Sequence, residues 1–398
     1  VGAGGGSIAS LDPLLGNRLD VGPRSAGSMP GPVCYDLGGV EPTVTDADLV
    51  LGYLSDKNYF GGQMQLSKAK AERAIEKNIA DPLEISVPEA AALIRHVVDQ
   101  NMASAIKREV HLRGYKPEDF VLFAFGGAGP THVAGFKGDI DKAVIFPTSP
   151  VFCAMGASVM DIVHIYEMSK RMMFMEAITE NMTTEYETFN GVVELLVERA
   201  KQDLMAEGLP VDQAIFSLEL DMLYGGQVNV KRMASPHLYI RSENDARDVY
   251  EAFELEFSEA FSPLVVNKPG GVYLDSYVLR VSVPTQKVEL AELPITGADA
   301  SAARTGTRQA YWPEYAEYVE TTVYSFDELQ PGNRFVGPAI VEADLTTVVV
   351  APEQTFSIDK YGLGILEGNT ASTPQASQTS SAVSVRDGAR SEIEIQAP

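Results

Sequence analysis

Cysteine is nearly absent: only Cys34 and Cys153 occur in 398 residues. Two distant thiols cannot build a disulfide-stapled scaffold or a four-cysteine zinc site, and their scarcity points to a reducing, cytoplasmic setting. No run of about 18 apolar residues occurs, which excludes a membrane-spanning helix. Basic residues are in short supply, with 31 Lys and Arg against 55 Asp and Glu and a formal charge of −24. Such a surface repels a phosphate backbone and an anionic bilayer, so neither nucleic acid nor membrane is expected as a partner. The histidines (His96, His111, His132, His164 and His237) form no His-x-x-x-His or His-Glu-x-x-His pattern, so a zinc-hydrolase signature is missing. A Gly-x-Ser-x-Gly elbow is missing too. The chain opens at Val1 without an initiator Met, signal peptide or transit sequence and reads like the inside of a domain, so a fragment or one piece of a split subunit is expected.

What is present suffices for ordinary cores, with 45% apolar residues and room for two or three domains. The stretch to about Pro88 is punctuated by Pro23, Pro30, Pro32 and Pro42 and reads as loop-dominated. It also carries Val33, Tyr35, Val44, Leu49 and Leu51, so an ordered, functional loop is expected. A short helix is expected over residues 67–79. Ser86 and Glu89 form a capping box for a helix over 86–111, whose Ala91, Ile94, Val98, Met102 and Ala105 make one apolar stripe. The apolar run Phe120–Phe125 predicts a strand buried on both faces, leading through Gly126-Gly-Ala-Gly-Pro130 into a helix. Strands over 143–146 and 163–173 close a first domain near residue 175. A second domain should hold a helix over 184–207 and one capped by Asn244 that reaches Phe261. Its strands should cover 215–224 and 272–283, the latter with Tyr273, Tyr277, Leu279, Val281 and Val283 on one side, then one or two within 335–352 and a closing segment over 355–362. From Asn369 the chain is too polar to offset its ordering entropy and should be disordered.

The strand–glycine turn–helix unit is the strongest chemical signal. Glycine lets a ring or phosphate approach the main chain, and a helix N-terminus offers free N–H groups. No Gly-Lys-Ser/Thr follows and the full dinucleotide spacing is lacking, so the turn either meets a nucleotide or is a ligand-free bend. The opening Gly2–Ser7 is read as a second ligand-facing turn. Glu41-Pro-Thr-Val-Thr-Asp46-Ala-Asp48 offers carboxylates and hydroxyls to a cation or substrate; alternatively Thr45 or Asp46 caps a helix beginning at Ala47. His132, just past the glycine turn, is the histidine weighed as functional. Cys34 and Cys153 are both expected to be small buried hydrophobes.

Val1-Gly-Ala-Gly-Gly-Gly-Ser-Ile-Ala9, Gly22–Gly27, Gly31-Pro-Val-Cys-Tyr35, Gly39–Ala47, Phe60-Gly-Gly62, Phe125–Pro130, Leu223-Tyr-Gly-Gly-Gln227 and Gly337–Glu342 occur in this order. Together they resemble the hydantoinase A / 5-oxoprolinase family, which includes the nucleotide-handling subunits of acetone and acetophenone carboxylases. Ile145–Gly156 and Asp221–Gln227 look closer to the acetone carboxylase branch. The resemblance implies an α/β protein: part of an actin/Hsp70/sugar-kinase-like ATPase domain over 1–175, a smaller α+β C-terminal domain over 176–368 and a disordered tail over 369–398. It implies ATP with Mg as cofactors. Gly126, Gly127, Ala128 and Gly129 would contact the adenosine, and Gly4, Gly5, Gly6 and Ser7 would line the same cleft. Asp46 and His132 become catalytic candidates, and Glu41 and Thr43 substrate-side candidates. Metal ligands are unassigned and expected upstream of Val1, with the family's two Asp-x-Gly-Gly-Thr-like phosphate loops, which this sequence lacks. The implied reaction is phosphorylation of a carbonyl or bicarbonate oxygen, as in ketone carboxylation, with cyclic-amide hydrolysis or a non-catalytic scaffold as alternatives. The implied partners are a hydantoinase B-like large subunit and a small third subunit.

Overall fold

The structure, a computed structural model, describes residues 2–368. The tail expected over 369–398 lies outside them. The chain forms two compact units, one from residues 2–152 with 290–368 and one from 153–289.

The glycine- and proline-rich opening is more regular than its composition suggests. β1 (Ser7–Asp12) and β2 (Arg18–Ser25) pair antiparallel. α1 (Val44–Val50) follows, then α2 (Lys68–Ile75), which runs through a π-helical turn at Glu76–Ala80 into α3 (Asp81–Leu83). α4 (Val87–Leu112) starts at the expected capping box, where the Glu89 carboxylate accepts the Ser86 amide at 2.9 Å. β3 (Val121–Ala124), α5 (Gly129–Phe136) and β4 (Lys142–Ile145) form a strand–helix–strand unit with a parallel pair. α6 (Phe152–Ser158) comes next.

The second unit holds β5 (Ile162–Met175), α7 (Tyr186–Ala206), β6 (Ile215–Tyr224), β7 (Lys231–Ala234), α8 (Glu243–Ala260) and β8 (Val272–Val283). Its antiparallel sheet has the order β5-β8-β6-β7. Phe189, Val193 and Leu196 of α7 and Phe253 and Phe257 of α8 share one core with Leu218, Leu220, Tyr277 and Leu279 of the sheet. Two expectations shift here. Ser242, not Asn244, caps α8, because its extended backbone lets Oγ accept the Asp245 amide at 3.2 Å. Tyr273 and Tyr277 do not share one buried face: the register slips between Leu274 and Ser276, so burial passes from Val272 and Leu274 to Tyr277, Leu279, Val281 and Val283.

The chain then returns to the first unit with β9 (Arg304–Trp312), β10 (Glu317–Ser325), β11 (Arg334–Val336), β12 (Ala339–Glu342), β13 (Thr347–Val350), β14 (Thr355–Ile358) and β15 (Gly364–Glu367). They build a four-stranded sheet, β13-β12-β10-β9, and complete a five-stranded one, β11-β14-β15-β4-β3. The β15–β4 pairing puts residues 290–368 with the first unit. Segment 335–352, expected to hold one or two strands, contributes to three short ones. The expected burial of Phe120–Phe125 on both faces is not found. β3 is an edge strand, with Val121 50% and Phe123 53% exposed. Among the described residues no helix is long and apolar enough to cross a membrane.

Candidate functional site

α1 organises the first part of the site. It begins at Val44, not Ala47, and its cap is Thr43. Asp46 at the third helical position completes a capping box, and its carboxylate accepts the amides of Thr43 at 2.8 Å, Val33 at 3.1 Å and Cys34 at 2.7 Å, plus the Thr43 hydroxyl at 2.8 Å. Asp46 and Thr43 are wholly buried. Asp46 therefore clamps the 31–35 loop onto α1, and it lines neither cavity described below. Glu41 is exposed and ion-paired with Arg24 at 2.8 Å, apart from them.

The two glycine segments meet. Gly5 and Gly6 from the opening turn and Gly127 and Ala128 from the turn after β3 line one cavity of about 290 Å³. Gly126 stands at φ +82°, which makes the bend after β3. Thr346 Oγ donates to the Gly127 carbonyl at 2.9 Å and holds the turn against the loop between β12 and β13. A Cβ on Gly127 would meet only the Leu345 carbonyl, at 3.5 Å, so this wall is open to close approach. Tyr35 and Tyr59, with hydroxyls 2.9 Å apart, Pro32, Leu54 and Phe60 supply apolar surface. Ser7 is buried and fixes the opening turn, accepting the Gly4 amide at 3.1 Å. Gly4 and Gly129 line a second cavity of about 310 Å³ together with Ala128.

His132 stands at the centre of a buried charge cluster. Its Nε2 lies 2.9 Å from Asp48 Oδ2 and its Nδ1 2.7 Å from Asp99 Oδ1. Arg95 donates to Asp48 Oδ1 at 2.6 Å and to the Thr131 carbonyl at 2.5 Å, with its guanidinium 4.8 Å above the Tyr53 ring. Burial opposes charging the imidazole, but the Asp48 carboxylate, helped by Asp99, prevails over that and over Arg95, so His132 is pushed up to about 9. Burial also opposes ionising Asp48, and His132 and Arg95 more than offset it, holding that carboxyl below its ordinary range. Two cations and two carboxylates thus form a neutral quartet bridging α1, α4 and α5. Asp48 reaches the glycine cavity; His132 and Asp99 reach the second one. Gly135 is required beside it, since a Cβ there would lie 2.1 Å from Asp99 Oδ2.

Sequence reasoning singled out His132 but not Arg95 or Asp99. A signal existed: two opposite charges at i and i+4 adjoin the apolar stripe of α4, 3.7 Å apart. The cysteines differ from each other: Cys34 is buried, with its thiol pushed up by burial and the Asp46 carboxylate, whereas Cys153 is exposed, contrary to expectation. Among the described residues no group of three or more His, Cys, Asp or Glu is arranged to hold a metal ion.

Residues 1–166 match the family described as hydantoinase/oxoprolinase, and residues 176–367 match the hydantoinase/oxoprolinase C-terminal domain. The chain is 65% identical over 385 residues to the acetophenone carboxylase gamma subunit of Aromatoleum aromaticum, covering 97% of this chain and 52% of that protein. It is 32% identical to the acetone carboxylase beta subunit of Xanthobacter autotrophicus, covering 88% and 49%. The nucleotide-free structure of acetone carboxylase superposes with a TM-score of 0.78 at 29% identity, over 92% of this chain and 52% of that one. The ATP-dependent caprolactamase of Pseudomonas jessenii superposes with a TM-score of 0.74 at 32% identity, with the same coverage. The chain spans about half the length of these carboxylase relatives.

Proposed function

The chain belongs to the hydantoinase/oxoprolinase family, and we propose that its first unit supplies the nucleoside side of an ATP site in an enzyme that phosphorylates a carbonyl or bicarbonate oxygen. The observation that carries this reading is the meeting of Gly5 and Gly6 with Gly127 and Ala128 in one cavity. Its bare backbone walls, aromatic rings and hydroxyls suit a nucleoside. They do not suit a triphosphate, since the lining includes Asp48, Glu342 and Asp344 but no lysine or arginine. Glu342 is itself ion-paired with Arg308. Gly127 and Ala128 would face the purine, with Gly126 shaping their turn, in half of an actin-like ATPase fold. Groups that neutralise phosphate and hold Mg would come from outside this cavity. When bound, ATP supplies a phosphoryl group that turns an inert oxygen into a leaving group. This chain's contribution is to orient the nucleoside end and to exclude water from it.

Ketone carboxylation is the favoured reaction, on the strength of the 65% identity to an acetophenone carboxylase subunit. Cyclic-amide hydrolysis is the second reading, favoured by the similarity to caprolactamase. The favoured reading makes this chain part of a hetero-oligomer with a hydantoinase B-like large subunit and a small third subunit. The test is nucleotide titration of the assembled complex carrying Gly127→Arg. ATP affinity should fall at least roughly tenfold, since the new side chain enters the nucleoside space. Unchanged affinity removes the assignment. ATP turnover dependent on bicarbonate and ketone, set against turnover with a lactam, separates the two reactions.

A further inference from the structure

One carboxylate of the glycine-walled cavity has no partner. Asp48 is held by His132 and Arg95, and Glu342 by Arg308. Asp344 lines the same cavity, and among the described residues it has neither a hydrogen-bonded donor nor a paired cation. It stands exposed at the tip of the β12–β13 hairpin, where the Ala343 amide donates to the Thr346 carbonyl at 3.0 Å and leaves Asp344 and Leu345 to make the turn. Two glycine turns flank this tip. Thr346 and the Leu345 carbonyl meet Gly127 on one side. On the other, a Cβ on Gly61 would come 3.8 Å from the Asp344 Cβ and Cγ. Gly61 and Gly62 stand at φ +63° and +77°, a conformation that favours glycine and sets bare backbone behind the carboxylate. The Phe60-Gly-Gly62 turn thus backs Asp344, while Phe60 joins the cavity wall.

We infer that Asp344 binds the ribose of the nucleotide, its carboxylate accepting the 2′- and 3′-hydroxyls, and so makes the cavity select ribonucleotides over deoxyribonucleotides. The inference rests on the nucleoside reading of this cavity. An ionised carboxylate only accepts hydrogen bonds, so it takes neutral donors and repels phosphate. The ribose diol offers two O–H donors on adjacent carbons, a match for the two carboxylate oxygens. An acidic side chain on a ribose hydroxyl is a recurrent solution in dinucleotide sites. Position agrees with chemistry. With Gly127 and Ala128 against the purine, the sugar is the next part of the ligand, and Asp344 is two residues from the Thr346 hydroxyl that grips the Gly127 carbonyl. No lysine or arginine lines the cavity to compete for the carboxylate.

The experiment titrates the assembled complex with ATP and with 2′,3′-dideoxy-ATP, in the parent and in Asp344→Ala. The parent should bind ATP roughly tenfold or more tighter, the worth of a hydrogen bond to a charged group. Asp344→Ala should erase that preference by weakening ATP while leaving dideoxy-ATP within about twofold of the parent. A residue that only shaped the turn, held a metal ion or read the base would weaken both nucleotides alike. Asp344 is exposed in a hairpin turn, so native Trp312 fluorescence is expected of the variant. Should it unfold, Asp344→Asn, which keeps the shape without the charge, takes its place and should lose most of the preference. The inference is overturned by a parent that binds both nucleotides equally, by a folded variant that keeps the preference, or by one that weakens both alike. A parent that binds neither nucleotide removes the nucleoside reading and this inference with it. A parent whose ATP binding is weakened by Gly127→Arg but which ignores the hydroxyls removes this inference alone.

Discussion

Replacing His132 by Asn removes one cation from the buried quartet and leaves Asp48 and Asp99 facing Arg95 alone. His132 is 6% exposed and both its ring nitrogens are engaged, so solvent cannot replace it. Breaking a buried pair by removing one partner costs about 3–5 kcal/mol, because the remaining charge is uncompensated. The titration of the ring gives a second measure. A rise from the ordinary 6.5 to about 9 amounts to about 3 kcal/mol, at about 1.4 kcal/mol per pH unit. Because the folded value is the higher one, this stabilisation is complete below pH 6.5 and fades as pH climbs through about 9. The chain's one tryptophan, Trp312, is buried in the first unit and donates to Thr321 Oγ1 at 2.8 Å, so its fluorescence reports the unfolding of that unit. Guanidinium titrations of parent and His132→Asn at pH 6, 8 and 10 should show a stability gap of about 3–5 kcal/mol at pH 6 that shrinks by about 3 kcal/mol toward pH 10. Taking the difference cancels groups common to both proteins. A gap under about 1 kcal/mol at pH 6, or one that ignores pH, would refute the reasoning.

Asp46→Asn should destabilise the first unit by about 2–4 kcal/mol, since an amide N–H₂ would face donors that the carboxylate now accepts. Trp312-monitored unfolding measures it, and a loss below about 0.5 kcal/mol would show that the clamp is dispensable. A thiol reagent should label Cys153 rapidly in the native protein and Cys34 only on unfolding. Two fast thiols, or none, would contradict their placement.

Local signals carried much of the fold. Ser86 and Glu89 announced α4, and strict alternation announced β6, because capping and pleating are short-range effects. The failures are tertiary. The run Phe120–Phe125 has the composition of a central strand, and no periodicity within it could reveal that β3 has a partner on one side only. The parallel pairing of β10 with β12 and the return of β15 to β4 depend on contacts across long separations, which composition does not encode. At the site, the glycines were legible because the absence of a side chain is itself the signal. Asp46 was legible as a functional carboxylate or a helix cap; the structure makes Thr43 the cap and Asp46 its capping-box partner, with the helix starting at Val44, three residues earlier than expected.

The charged quartet is where the two levels meet. Sequence alone offers His132 as an isolated histidine, and the usual fate of such a residue is a satisfied core position. Here it is satisfied on both nitrogens, yet its two carboxylate partners reach different cavities, Asp48 the glycine-walled one and Asp99 the apolar one. The quartet therefore touches both cavities, and its charge cancels only while the imidazole is protonated. The same residues bind α1, α4 and α5 beneath the Gly126–Gly129 turn, so loss of His132 should loosen the turn as well as the core. A His132→Asn complex that bound ATP as tightly as its parent, despite the lost stability, would assign the quartet to folding and leave the turn's geometry to Thr346 and the Ser149 carbonyl, which accepts the Gly126 amide at 2.7 Å.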